Sequence, residues 1–158
     1  MNQKYEFTGE TTNHFGHTLH RIKAISSFGS VKKGDIGGWI EAEENLPESG
    51  NAWVSGNASV FGNAWVSGNA WVSGNAWVSD DALVCGEYDF ITMGPIGSRS
   101  DITTFYRLKQ GGIGVNCGCF NGTLDEFEAA VHETHAGNEH EKAYMAAIRM
   151  AKEIMIHD

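Results

Sequence analysis

The sequence predicts a mainly β protein: a short prism of stacked parallel strands, with a β cap before it and a small α/β module after it. Three observations carry this. Between residues 50 and 86, valine recurs at every sixth position, Val54, Val60, Val66, Val72, Val78 and Val84, with alanine two places before each. The Ala-x-Val triplets are separated by Ser-Gly-Asn or Phe-Gly-Asn, and the last pair by Ser79-Asp80-Asp81, which are turn residues. The end of the chain carries apolar residues at helical spacing behind capping sequences.

Taken in order, residues 1–49 form the cap and lead-in. "KYEFT" and "TLHRIKAI" read as strands broken at Gly16 and Gly29. Residues 31–50, with the pair Gly37-Gly38 and the acidic run Glu41–Glu44, read as an irregular, solvated cover for the open end of the prism. Such a cover is needed because a bare strand edge invites aggregation.

Residues 50–87 form the repeat. In an Ala-x-Val strand, Ala and Val face one way and the middle residue the other. Glycine and asparagine in the turns tolerate the left-handed backbone region. A corner every six residues gives three strands to a turn, with Ala and Val inside. The middle residues Trp53, Ser59, Trp65, Trp71, Trp77 and Leu83 point out. Residues eighteen apart share a face, so Trp53 stacks with Trp71, Ser59 with Trp77, and Trp65 with Leu83. Six hexapeptides make only two coils, fewer than the roughly three units a repeat array needs. The prism must therefore lean on its flanks or on other copies. Several exposed tryptophans also make a larger apolar patch than soluble monomers tolerate. A partner subunit or the C-terminal helices are expected to cover them, rather than a ligand.

Residues 88–158 read as β-β-β-α-α. "YDFITM", "ITTFYRL" and "GIGVNCGCF" are strands, separated by "GPIGSRS" and "KQGG". Thr123 and Glu126 form a capping box, and Leu124, Phe127, Val131 and His135 share one helix face. Gly137 ends that helix. Asn138 and Glu141 start the next, whose apolar face is Tyr144, Ile148, Ala151 and Met155.

The 158 residues are 41% hydrophobic and carry a net charge of −9, which argues against duplex DNA as a partner. No apolar run is long enough to span a membrane, and no secretory segment follows Met1. Three cysteines, Cys85, Cys117 and Cys119, do not make a disulfide framework, so a reducing, cytoplasmic setting is expected. Charge is uneven: residues 88–122, with Arg99, Arg107 and Lys109 against Asp89 and Asp101, are the only stretch not net negative. An anion would go there.

The Gly-Asn-Ala-x-Val repeat and the lead-in "GDIGGWIEAEENLPESGNAWV" at 34–54 resemble the hexapeptide-repeat, left-handed parallel β-helix proteins of a bacterial and prophage family with no assigned activity. "KYEFTGET", "HTLHRIKAI", "GPIGSRSD", "TTFYR" and "GCFNGTLDEFEAAV" resemble segments of its phage-encoded members. The resemblance implies a homotrimer or higher oligomer, with prisms side by side about a three-fold axis.

The hexapeptide fold also hosts acyltransferases, which need a basic histidine between coils. No His, Asp or Glu occurs in the repeat before Asp80, so an acyltransferase is not expected, nor are catalytic residues. Cys117, Cys119, His132 and His135 contain zinc-ligand types, but the C-x-C spacing is a weak signal and His135 shares an apolar helix face. A strand cysteine and a core histidine are the plainer reading, with no metal and no cofactor. His14, His17 and His20 flank a glycine in a hairpin and read as surface residues.

"GPIGSRSD" at 94–101 is the most suggestive stretch. A glycine-rich turn offers backbone N–H groups, Ser98 and Ser100 add hydroxyls, and Arg99 adds a planar fork suited to phosphate. Thr103, Thr104, Tyr106 and Arg107 follow on a strand that could line the same site, with aromatic faces for a base. The plainer alternative is a β-turn with a surface arginine. The turn and the phage resemblance together suggest a non-enzymatic binding protein. It would hold a small anionic nucleotide, a signal of host immunity, at pockets between subunits. The alternatives are a scaffold that docks a protein partner on its Trp faces and, least of all, an acyltransferase.

Overall fold

A computed structural model describes residues 2–86, 88–97, 100–118 and 120–155. The protein is mainly β, with two helices near its C-terminal end. It divides into two compact units, Met1–Glu87 and Tyr88–Asp158.

The first unit opens with an antiparallel hairpin of β1 (Tyr5–His14) and β2 (His17–Ala24), paired from Tyr5↔Ala24 to His14↔His17. Its turn places Gly16 at φ 87°, a conformation glycine adopts without strain. Then β3 (Ile36–Ile40) joins β2 antiparallel, and six two-residue strands follow: β4 (Trp53–Val54), β5 (Ser59–Val60), β6 (Trp65–Val66), β7 (Trp71–Val72), β8 (Trp77–Val78) and β9 (Leu83–Val84).

Each short strand pairs in parallel with the one eighteen residues on: Trp53↔Trp71, Ser59↔Trp77 and Trp65↔Leu83. The chain thus returns to the same ladder after three corners, as the six-residue period requires. All the repeat alanines and valines are at most 2% exposed, so each strand turns its Ala and Val into a common core. The corner glycines Gly56, Gly62, Gly68 and Gly74 have φ between 61° and 68°. Asp80 takes the same place in the last corner at φ 56°, which Asp adopts more readily than most residues.

The lead-in departs from expectation. It is not irregular: β3 lies in parallel against β5, with Trp39↔Ser59 and Ile40↔Val60, and extends that ladder by one strand. The two glycines explain how. A Cβ on Gly37 would stand 2.6 Å from Ile22 and 2.7 Å from Trp53, and one on Gly38 would stand 2.6 Å from the Ala58 carbonyl oxygen. Only glycine lets this backbone settle on the first coil.

Behind β3, a 3-10 turn at Glu43–Asn45 closes the neighbouring ladder. Buried Asn45 donates to the Gly62 and Ala64 carbonyls at 3.2 and 2.9 Å. It accepts from the Glu41 and Ala42 N–H groups at 3.2 and 2.9 Å. One amide side chain thereby bonds four backbone groups at the coil's start, of which the Glu41 N–H also donates to the Val60 carbonyl at 3.1 Å.

The tryptophans also need correction. They do point away from the Ala/Val core, but the N-terminal hairpin and lead-in cover part of them. Trp53 is 2% exposed beneath Tyr5 and Phe28, with ring centroids 6.4 and 5.4 Å away. Trp77 packs edge-on to His14 at 4.1 Å and Phe15 at 5.9 Å. Trp65 and Trp71 remain 45% and 39% exposed.

The second unit is an antiparallel sheet of four strands, one more than predicted: β10 (Phe90–Ile96), β11 (Asp101–Arg107), β12 (Ile113–Cys117) and β13 (Phe120–Thr123). The extra strand comes from "FNGT", which pairs back on β12 through Gly114↔Thr123 and Cys117↔Phe120. The helices α1 (Leu124–His135) and α2 (Glu139–Met155) follow. Thr123 accepts from the Glu126 N–H at 3.2 Å, completing the capping box, and Gly137 sits at φ 78°. Leu124, Phe127 and Val131 of α1 and Tyr144, Ile148, Ala151 and Met155 of α2 bury against Phe105, Ile113 and Val115 of the sheet. His135, expected within that core, is only half-buried.

Candidate ligand site

Of the residues expected to bind an anion, Ser98 and Arg99 lie outside the described residues. Around them, the Gly97 carbonyl accepts from the Ser100 N–H at 3.2 Å, and Ser100 holds φ 52°. A left-handed serine is uncommon and marks a turn that its surroundings constrain. Gly97 is itself constrained, at φ 82° and with no room for a Cβ, because the Tyr144 hydroxyl fills that space.

The strand after the turn does not line one site. Alternation puts Thr103, Phe105 and Arg107 on one face of β11, and Thr104 and Tyr106 on the other. Thr103 is buried and donates to the Cys117 Sγ at 3.2 Å. Thr104 is buried too. Tyr106 is buried with its ring over Gly114, its register partner, and its hydroxyl accepts from Asn121 at 3.4 Å. It therefore offers no open face to a base. Arg107 is committed as well: Nε donates to Asp89 at 2.8 Å and Nη2 to the Met155 carbonyl at 2.5 Å. Its charge sits at the C-terminal end of α2, where the helix dipole favours a cation.

What the fold does assemble at this end of the sheet is a cavity of about 290 Å³. Asp101 lines it from the start of β11, Cys117 from the end of β12, and Phe120 from the start of β13. Phe127 and His135 come from α1, and Tyr144 from α2. The aromatic walls are ordered against one another: Phe127 lies 5.2 Å from Phe120 and 5.6 Å from Tyr144, and the His135 ring stacks on Tyr144 at 5.7 Å. Because Tyr144 both lines the cavity and abuts Gly97, and Asp101 begins the strand that leaves the turn, turn and cavity are neighbours. Asp101 has no ion pair among the described residues. The lining is largely apolar with a few convergent polar groups, the usual character of a small-molecule site.

Of the suggested zinc residues, Cys117 and His135 both line this cavity. Cys119 lies outside the described residues, and His132 bonds Glu141 at 2.9 Å on the surface. Among the described residues, no three His, Cys, Asp or Glu side chains are disposed to hold a metal.

The hairpin histidines are not plain surface residues. His17 bonds Glu41 at 2.9 Å, and His20 stacks on Phe7 at 4.5 Å. His14 lies against Trp77 and Phe61, with its Nε2 buried and without a hydrogen-bond partner among the described residues. Burial first, and the neighbouring His17 second, hold His14 below the usual histidine pKa. Burial pushes the Glu41 carboxyl up. Hydrogen bonds from His17 and the Gly62 N–H outweigh it, so its pKa falls below the ordinary value.

Among the described residues, no helix is long and apolar enough to cross a membrane. No protein-family model matches the chain, and neither does any curated protein.

Proposed function

We propose that this is a non-enzymatic, oligomeric binding protein of phage or prophage type. It acts in the cytoplasm of the bacterial host and sequesters a small anionic nucleotide, a signal of host immunity, away from its receptor. In this reading the repeat is a left-handed parallel β-helix, and three copies pack through the faces carrying Trp65 and Trp71. The eighteen-residue parallel pairing supports the helix, and the exposure of those two rings supports the packing.

The observation that carries the binding function is the aromatic-walled cavity, whose Tyr144 abuts Gly97. Aromatic faces hold a base, and turn N–H groups with an arginine hold a phosphate. In this reading, packing of the copies brings a neighbouring subunit against the mouth of the cavity, so that the ligand is held at a pocket between subunits. The test is a panel of cyclic and linear nucleotides screened by calorimetry and native mass spectrometry, with recovered ligand checked by chromatography. Binding with intact recovery supports sequestration. A chemically altered product makes the protein an enzyme and overturns the reading.

A second reading, a scaffold that docks a protein partner, is favoured by the same exposed Trp65 and Trp71. It becomes the better one if no nucleotide binds and a defined host protein co-purifies and is lost on Trp65→Ser.

A further inference from the structure

Building on the nucleotide-binding reading, we infer that the cavity takes a single guanine-type base, whose N–H edge is read by Asp101, and leaves the phosphate outside. Three observations lead there. The first is size. At about 290 Å³ the cavity stands at the bottom of the range of about 300–1,000 Å³ typical of ligand pockets. It has room for one base with part of its sugar and none for a whole dinucleotide.

The second is shape and surface. Phe120, Phe127, His135 and Tyr144 present ring surfaces from three different elements, and a flat heteroaromatic ring is the ligand that gains most from such walls. The third is charge. Asp101 is the one carboxylate in the described lining, and it is free of any ion pair among the described residues. A carboxylate in a partly desolvated cavity repels a phosphate and attracts N–H donors. Guanine carries two adjacent donors on one edge, N1–H and the exocyclic amine, matched to the two oxygens of a carboxylate. Adenine, with an acceptor at N1, and the pyrimidines do not present that pair. The anionic part of the ligand then faces away from Asp101, towards the turn that begins at Gly97.

The experiment titrates the full chain with guanosine, adenosine, cytidine and uridine 5′-monophosphates by calorimetry, for the unaltered protein, Asp101→Asn and Ala130→Leu. Ala130 lines the cavity from α1, and a larger side chain there occupies it. Unaltered protein should prefer the guanine nucleotide at least tenfold. Asp101→Asn should abolish that preference, Ala130→Leu should weaken all four nucleotides, and both should keep the far-ultraviolet dichroism of the parent. If nucleotides bind without a guanine preference, or the preference survives Asp101→Asn, this inference falls and the general nucleotide reading stands. If none of the four binds but a cyclic dinucleotide does, the single-base inference falls alone. If no nucleotide of any kind binds, both fall.

Discussion

Lys4 is almost fully buried, at 4% exposed, yet carries an ammonium group. Its Nζ lies 4.8 Å from the centre of the Phe28 ring and 3.5 Å from the Pro47 carbonyl oxygen, which replaces only part of the lost water. Burial accordingly lowers its pKa from 10.5 to about 8. Between those two values the unfolded chain binds more protons than the folded one, so stability must rise with pH across that window. Tyr5 works the other way above pH 10, because burial raises its phenol and the folded state resists ionisation. Urea denaturation from pH 7.5 to 9.5 should therefore show a rising midpoint. Lys4→Met, which keeps the stem and drops the charge, should gain roughly 1–3 kcal/mol at pH 7 and flatten that rise. A midpoint that is level in the parent would contradict the burial of this charge. Nothing in the sequence marked Lys4, because its neighbours Phe28 and Pro47 lie far along the chain.

Among the elements, the coil was the most legible. A six-residue period forces alternation and corner together, and the Ala and Val positions could be assigned before any pairing was seen. Two strands were not legible, β3 and β13: both contain glycine, which weakens strand propensity, and in β3 the glycines stand where close contact leaves no room for a Cβ. Gly37 and Gly38 were visible, but the indole and carbonyl that press on them were not. The strand expected beside an anion was legible as a strand, but its side-chain directions were not. Alternation sends Thr103 and Thr104 to opposite faces, and Arg107 meets Asp89 and the end of α2. The cavity was not legible at all, since its walls come from three strands and two helices.

The hairpin over the coil gives a direct contrast at this scale. Trp53 is sealed beneath Tyr5 and Phe28, so Trp53→Ala should cost roughly 3–5 kcal/mol, the range for an aromatic removed from a core. Trp71 is 39% exposed, with its indole N–H donating to Ser55 at 2.7 Å, so Trp71→Ala should cost the isolated chain about 1 kcal/mol or less. Thermal melts of the two variants at low protein concentration distinguish them.

At the scale of the molecule, an acidic chain with a net charge of −9 exposes two tryptophans on two different faces of its coil. Light scattering at micromolar concentration should give a mass well above the 17.2 kDa of one chain, and Trp65→Ser should lower it. A monomer mass for the parent would remove the oligomer from the proposed function. The ladders carry a further consequence, for how such a protein can change in length. Each ladder repeats after eighteen residues, while its unit of sequence is six. Duplication or loss of one near-identical hexapeptide keeps the core chemistry but moves the point where the chain leaves the coil to the next of three faces. Only a gain or loss of three hexapeptides together returns the chain to the face it left. Recombination among these repeats is thus free to alter length in sixes, whereas a conserved exit towards the rest of the chain admits changes only in eighteens.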